Sequence, residues 1–203
     1  MSMRRLFALA VLSIAPIRVV TAQGSSDHTM FGLYGGLNLA TIEGGDIKNS
    51  SYQADYLAGI SVRWNLGIIG FQPALEYSRK GVTTSTTSGT TKTTVHIHLN
   101  YVELPLLLRV GSKPFLLVGP SVAVKTSCDA KAESGGVSLS GRCSDFAKIE
   151  SLDYGAMAGV GTDFNAGSVT FSLAARYDLG LKKLASDSDA KNRAISVVFG
   201  VSW

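Results

Sequence analysis

The last ten residues, 194–203, read AISVVFGVSW and alternate between two kinds of side chain. Large apolar residues occupy every second position, and all the residues between them except Val198 are small or polar. Successive side chains of a β-strand point to opposite faces, so a period of two predicts a strand. One face of this strand is strongly apolar and consists of Ile195, Val197, Phe199, Val201 and Trp203.

Seven further stretches repeat this alternation, near residues 31–39, 55–64, 71–78, 101–110, 116–125, 153–164 and 169–180. The connections alternate between short ones (66–69, 111–114, 165–168) and long ones (40–53, 81–94, 127–151, 181–193). Eight strands of roughly 10 to 14 residues joined in this way predict an all-β, antiparallel up-and-down barrel. Short turns at one end and long loops at the other are typical of a transmembrane barrel of the outer membrane.

The composition indicates which face meets lipid. Of the 203 residues, 17% are charged and 45% are hydrophobic, whereas about 25% of an average soluble domain is charged. This hydrophobicity excludes wholesale disorder, and no run of about 18 apolar residues that could form a spanning helix follows residue 22. The less apolar face of the strands carries mostly Gly, Ala and Ser. It has too few charged residues for a surface that faces water. We therefore expect it to line a narrow, packed interior. The alternative is a soluble ligand-binding barrel with its faces inverted.

The first 22 residues have the pattern of a secretory signal peptide. Arg4 and Arg5 precede an apolar stretch at 6–17, and small residues follow at 20–22. We predict cleavage after Ala22, which leaves 23–203 as the barrel domain. A transmembrane anchor would need a longer stretch without Pro16. Without the three arginines of this segment, the chain has 16 basic and 15 acidic residues. This nearly neutral charge indicates no nucleic-acid partner.

The two cysteines, Cys128 and Cys143, would reach an oxidising compartment after export. Closing the loop between them would stabilise the fold by about 3 kcal/mol in the chain-entropy model. No Cys-x-x-Cys motif or neighbouring histidine points to a metal or to a catalytic thiol pair. We therefore predict one disulfide.

Five charged residues fall on the inward face. Glu76, Glu103 and Arg176 lie at mid-strand depth, and Arg63 and Arg109 lie nearer the short turns. Because an unpaired charge in a narrow interior is costly, we predict that these five form an ion-pair network. The functional alternatives are a selectivity lining and an acid/base pair, and an acid/base pair would also need a pocket with substrate access.

Aromatic residues lie towards the ends of the apolar faces, as in the interfacial girdles of membrane barrels. They are Trp64, Phe71, Tyr77, Phe164, Tyr177 and Trp203. Three prolines count against strands, because each removes a ladder donor; bulges are one way to accommodate prolines, and the sequence does not show where such bulges would lie. The prolines are Pro73, Pro105 and Pro120.

The long loops contain no clear catalytic or metal site. His96 and His98 lie two apart and lack an evident third ligand, so we expect them at the rim. Residues 83–94 are nearly all Thr, Ser and Gly, which suits either an outward extension of a hairpin or a mobile loop. No phosphate loop, dinucleotide fingerprint or nucleophile elbow occurs after residue 22, so no cofactor is predicted. Basic residues near these loops could contact lipid phosphates or serve as ordinary solubilising charge; they are Arg79, Lys80, Lys92, Lys182, Lys183, Lys191 and Arg193.

Three runs resemble the PorT-like family of outer-membrane β-barrel domains, a group of porin family proteins. They read GGLNL at 35–39, YVELPLLLR at 101–109 and PFLLVGP at 114–120, and the resemblance spans roughly residues 30–203. The second run, in which an acid, a proline, leucines and a base follow an aromatic residue, is the most distinctive. The resemblance implies an eight-stranded outer-membrane barrel and no single activity.

These observations favour a non-enzymatic integral outer-membrane barrel with a packed interior and a structural or surface-contact role through long extracellular loops. A narrow small-solute channel is the main alternative, followed by a membrane-embedded enzyme and a soluble ligand-binding barrel. The expected partners are outer-membrane lipids, the barrel assembly machinery through the C-terminal strand, and a surface partner of unknown identity. An even strand number places both termini in the periplasm.

Overall fold

A computed structural model describes residues 29–44, 50–88, 91–111, 113–142, 151–183 and 189–203. Their regular structure consists of β-strands, and no helix among these residues is long and apolar enough to cross a membrane. The strands of this part of the chain are β1 (Thr29–Glu43), β2 (Ser50–Leu66), β3 (Ile69–Ser88), β4 (Thr91–Gly111), β5 (Phe115–Ser134), β6 (Val137–Arg142), β7 (Leu152–Ala166), β8 (Val169–Gly180) and β9 (Lys191–Ser202).

Eight of these strands close into a ring. Every neighbouring pair is antiparallel, and the order around the ring is β4-β3-β2-β1-β9-β8-β7-β5, with β5 pairing back to β4. The remaining strand, β6, pairs only with the outer half of β5, on the edge that β7 uses lower down. The prediction of an eight-stranded up-and-down barrel is confirmed. Closure gives the ring no free strand edge, which a hydrocarbon environment requires.

The two faces of the wall are the ones that the alternation predicts. Leu37 and Phe199 on the apolar face are 64% and 53% exposed, whereas Asn38 and Val198, their respective neighbours in the chain, are buried. A contiguous apolar surface around a closed ring is the outer surface of a membrane barrel. The side chains between them fill the interior of the ring, called the lumen below.

Six of the eight ring strands are longer than the predicted 10 to 14 residues, and three of them are longer by at least six residues. β3, β4 and β5 have 20, 21 and 20 residues, so the expectation of 10 to 14 is wrong for them. Residues 81–88, 91–94 and 127–134, which the sequence assigned to long loops, are strand. The threonines and the valine of 81–88 and 91–94 are β-branched and favour extended backbone. Residues 127–134 contain no β-branched side chain and extend by pairing with β4 and β6. The result is a sheet that stands beyond the ring, formed by residues 82–88, 91–99 and 126–142 and called the projecting sheet below.

The three prolines are accommodated without bulges. The pairing of β3 with β4 keeps one register from Pro73↔Leu106 to Glu76↔Glu103. The pairing of β4 with β5 keeps one register from Pro105↔Ser121 to Leu108↔Val118, an interval that includes Pro120. The register changes elsewhere, between Tyr52 and Leu57 and between Asn100 and Tyr101. The strands therefore stay aligned across the prolines, and the described register shifts lie elsewhere.

Candidate functional site

The lumen contains three layers of buried charge, and the first lies at the short-turn end. Arg63 of β2 and Arg109 of β4 both bind the same oxygen of Asp163 of β7, at 3.3 and 2.5 Å. Ser172 of β8 donates to the other oxygen of Asp163 at 2.7 Å. The guanidinium carbon of Arg109 lies 3.3 Å from the centre of the Phe115 ring, which separates this layer from the rest of the lumen. Two cations here share one carboxylate.

The second layer lies at mid-depth. A guanidinium nitrogen of Arg176 lies 2.7 Å from a carboxylate oxygen of Glu76, and both side chains are almost fully buried. The guanidinium also lies 5.6 Å from the centre of the Tyr34 ring. This one-to-one pair joins β3 to β8 across the lumen, and such charge-assisted bonds are stronger than neutral ones.

The third layer lies nearer the outer mouth. The Lys80 ammonium lies 3.2 Å from Glu103 and also contacts Asp178, so two carboxylates share one cation. The amide of Asn192 donates to Asp153 at 2.7 Å and to the Tyr101 hydroxyl at 3.2 Å. The contacts of this layer connect strands on opposite sides of the ring.

Two apolar clusters alternate with these layers. The inner cluster lies between the first and second layers and consists of Leu107, Phe115, Leu117, Met157 and Ala174. The outer cluster closes the mouth beyond the third layer and consists of Ile42, Val82, Leu99, Tyr101, Ala123 and Ala190. Phe115 and Tyr101 are 1% and 0% exposed. Side chains thus block the lumen at several depths, and a cavity of about 220 Å³ remains at the short-turn mouth.

The five charges predicted for the lumen are placed there, but they do not form one network. Arg63 and Arg109 belong to the first layer, Glu76 and Arg176 to the second, and Glu103 to the third. The partners that complete these layers were not predicted to lie in the lumen and are Lys80, Asp153, Asp163 and Asp178. Each of these residues lies at an inward position of the period-two pattern, and this position is the sequence signal that could have identified it. The role of these layers in fixing the strand register stays a proposal.

The six predicted girdle aromatics all point outward. Trp64, Phe71, Phe164 and Trp203 lie close to the short turns or the C-terminus, and the Trp64 and Phe71 rings stack with centroids 5.9 Å apart. Tyr77 and Tyr177 lie six residues further along their strands than Phe71 and Phe171, which is about 20 Å of strand. Because the strands of such barrels tilt by roughly 35–45°, this spacing corresponds to a rise of about 15 Å along the barrel axis, which is less than the apolar band about 25 Å tall of outer-membrane barrels.

A polar cluster connects the outer face of β3 and β4 to Asp55 of β2, whose cross-strand partner in β1 is the buried Asn38. Asp55 lies 3.3 Å from both His98 and Arg79, and Thr83 lies 3.0 Å from His96. The described ranges contain no group of three or more His, Cys, Asp or Glu side chains that could hold a metal. Higher on this face, Lys131 binds Glu133 at 2.6 Å and lowers the pKa of that carboxyl from its ordinary value.

The basic residues assigned to the long loops divide into two groups. Lys183 and Arg193 lie at the rim and pair with Asp189 and Glu43, at 2.5 and 3.1 Å. Lys80 is only 4% exposed and binds inside the lumen, so the interpretation that it contacts lipid phosphates or solvent is wrong.

Two predictions fall outside the described residues. Residues 1–22, the predicted signal peptide, lie there, and so does Cys143. The cleavage after Ala22 and the disulfide between Cys128 and Cys143 therefore stay predictions.

A closed ring of antiparallel strands with an apolar outer surface and a charged, packed lumen defines a transmembrane β-barrel. The family model of the outer membrane protein β-barrel domain matches residues 21–186, and the chain belongs to this family. Its location is the outer membrane of a Gram-negative bacterium. The PorT-like resemblance is a narrower assignment than this match and stays a prediction.

Three solved structures have a similar fold. Neisserial surface protein A (NspA) is 14% identical, with 85% of this chain and 95% of that chain covered and a TM-score of 0.41. Ail, the attachment invasion locus protein of Yersinia pestis, is 14% identical, with coverages of 87% and 99% and a TM-score of 0.42. The N-terminal barrel domain of Pseudomonas aeruginosa OprF is 11% identical, with coverages of 84% and 97% and a TM-score of 0.35. No curated protein matches this chain.

Proposed function

We propose that this protein is a non-enzymatic outer-membrane barrel that acts by contact through the projecting sheet, with a lumen that stabilises the wall and carries no solute. The observation behind this proposal is the contrast between the interior of the ring and the strands that project beyond it. Inside the ring, charged and apolar layers block the passage from one mouth to the other, whereas β4 and β5 continue for about ten residues beyond the last β5–β7 pair, Val124↔Leu152. The projecting sheet is therefore accessible for contact, whereas side chains block the interior of the ring.

The packed lumen argues against a channel. An eight-stranded barrel leaves an interior just wide enough for side chains, and here Phe115 and Tyr101 occupy it at two depths. A solute path would have to separate ion pairs such as Glu76–Arg176, and breaking a buried pair is strongly unfavourable. The charges of the lumen consequently favour a structural role.

The projecting sheet has two faces of different character. On one face, cross-strand neighbours of β3 to β6 are Thr83, His96, Lys131 and Ser140. On the other face, the neighbours Val95, Ala132 and Leu139 are mostly apolar, and Leu139 is 69% exposed. Exposed segments held on a rigid scaffold are where recognition concentrates. This sheet is therefore the proposed contact surface.

Planar-bilayer recording tests the lumen. The refolded mature chain is expected to give no steady conductance at a protein amount at which an open porin, used as the positive control, conducts readily. Stepwise, steady conductance by the folded protein would contradict the packed-lumen proposal and favour the narrow channel.

Shortening the first projecting hairpin tests the contact role. Ser85 pairs with Thr94, so replacing residues 86–93 by Asn-Gly should close a two-residue turn and leave the ring intact. Cells with this variant are expected to keep normal amounts of folded barrel but to adhere and aggregate less than cells with the unmodified protein, because the proposed contact surface is removed. The matched control replaces 86–93 by eight Gly and Ser residues. Full adhesion in the shortened variant would contradict the proposal.

Epitope tags test the orientation. A tag between Ser88 and Thr91 is expected to bind antibody on intact cells, and a tag after Gln23 only after permeabilisation, because an even number of strands returns both termini to the periplasm. The reverse labelling would overturn the assignment of the projecting sheet to the cell surface.

The proposal also includes the finer predictions made from the sequence. These are membership of the PorT-like group, removal of residues 1–22, recognition of the C-terminal strand by the barrel assembly machinery, and contact of the rim lysines with outer-leaflet lipids. The non-enzymatic assignment has its own test: an activity lost in Glu103→Gln, with the folded barrel retained, would contradict it.

A further inference from the structure

The charge layer at the short-turn end contains more positive than negative charge. Arg63 and Arg109 are 7% and 4% exposed, and among the described residues their one acidic partner is Asp163. Burying a charge is costly unless another charge compensates it, and the carboxylate of Asp163 can compensate only one guanidinium. One positive charge of this layer is therefore uncompensated.

The hydrogen-bond donors of Arg63 show the same deficit. One terminal nitrogen contacts Asp163 at 3.3 Å, and the other contacts the sulfur of Met30, a weak acceptor. Its Nε is buried and has no hydrogen-bond partner in the part of the chain that the structure describes. A buried donor without an acceptor costs free energy, so such a group points to a missing acceptor.

A cavity lies in front of these groups. It has a volume of about 220 Å³, opens at the short turns, and is lined by Arg63, Arg109, Asp163, Asn165 and Lys113 among others. Lys113 is exposed at its edge and adds a third positive charge. The Phe115 ring stacked on Arg109 closes the cavity towards the membrane centre. The cavity thus combines room for a small ligand with an excess of positive charge.

We propose that this mouth binds a small oxyanion of the phosphate or carboxylate class, held mainly by the guanidiniums of Arg63 and Arg109. A planar guanidinium matches such oxyanions with paired hydrogen bonds, and the anion would provide the second negative charge and the acceptor that Arg63 lacks. Asp163 fixes the two arginines from the other side. Because the mouth lies at the short turns, the anion comes from the periplasm.

A carboxylate of the chain itself is a competing source of the same chemistry. Asp27 precedes β1 by two residues, and β1 starts at this end of the barrel. A free anion and this carboxylate could each provide the negative charge that Arg63 and Arg109 lack, so the experiment must distinguish the two sources. The variant Asp27→Asn does so, because it removes the internal carboxylate and leaves the arginines unchanged.

The test uses the refolded mature chain in detergent with inorganic phosphate as the probe, at constant ionic strength set with chloride. We expect calorimetric binding of phosphate and a phosphate-dependent rise of the unfolding temperature. Arg63→Gln should weaken binding about tenfold or more, because it removes a charge-assisted contact. This variant leaves Arg109 and Asp163 as a one-to-one pair, so we expect it to fold. Arg193→Gln at the opposite rim is the charge-matched control and should keep full binding, as should Asp27→Asn.

Three results would overturn the proposal. One is an absence of phosphate binding by the unmodified chain, including the case in which Asp27→Asn gains binding because the internal carboxylate had filled the site. Another is undiminished binding by Arg63→Gln. The third is an equal loss of stability by Arg63→Gln with and without phosphate, because a purely structural arginine would behave in that way.

Discussion

Replacing Lys80 by methionine is expected to lower the free energy of unfolding by about 3–5 kcal/mol, the range for removing one partner of a buried ion pair. Lys80 is 4% exposed and is the shared cation of Glu103 and Asp178. Methionine keeps much of the side-chain length but leaves two carboxylates facing each other without a counter-ion. The measurement is urea unfolding of the refolded barrel in lipid vesicles, followed by tryptophan fluorescence.

A compensated variant separates lost charge pairing from lost packing. Lys80→Met combined with Glu103→Gln and Asp178→Asn removes all three charges and keeps the shapes, so most of the lost stability should return. Lys92→Met, on the exposed part of the projecting sheet, is the matched control and should change stability by less than about 0.5 kcal/mol. If Lys80→Met were as mild as Lys92→Met, Lys80 would not be a buried counter-ion.

The architecture was predictable because each strand repeats one rule. A period of two assigns every side chain to lipid or lumen, and the alternation of short and long connections orders the strands. Leu37 is exposed and Asn38 buried, as that rule requires. Strand ends were less predictable, because a run of Thr and Ser suits a strand with two solvated faces as well as a loop. The composition of 83–94 therefore did not show that β3 and β4 continue.

The same uncertainty about strand ends explains the error for Lys80. The alternation in β3 puts Glu76 and Ser78 inward and Tyr77 outward, and two more residues in that phase place Lys80 inward. Ending the strand at Ser78 moved Lys80 to the loops. Which carboxylate meets which cation was also not predictable. Arg63 and Asp163 are cross-lumen partners, and their proximity depends on the stagger of the closed ring.

Replacing Gly36 by alanine is expected to destabilise the barrel by about 3 kcal/mol, at the upper end of the usual cost of overpacking. A Cβ on Gly36 would overlap the carbonyl oxygen of Val197 in the neighbouring strand and lie 3.0 Å from the Cα of Val198. These atoms are backbone, so no side-chain rotation can relieve the overlap, and β1 and β9 would have to move apart. The readout is the urea midpoint in vesicles together with the fraction that migrates as folded barrel on unheated gels.

The preceding residue provides the matched control. A Cβ on Gly35 would meet its nearest atom, the carbonyl oxygen of Leu57, at 3.5 Å, an ordinary contact, and it would point towards lipid. Gly35→Ala should therefore change stability by no more than about 0.5 kcal/mol. The two substitutions have the same chemistry, strand and sheet propensity, and they differ in the space available beside the backbone. Equal effects would show that the glycines matter through propensity alone, whereas a large loss confined to Gly36→Ala would show that β1 and β9 approach too closely for any side chain.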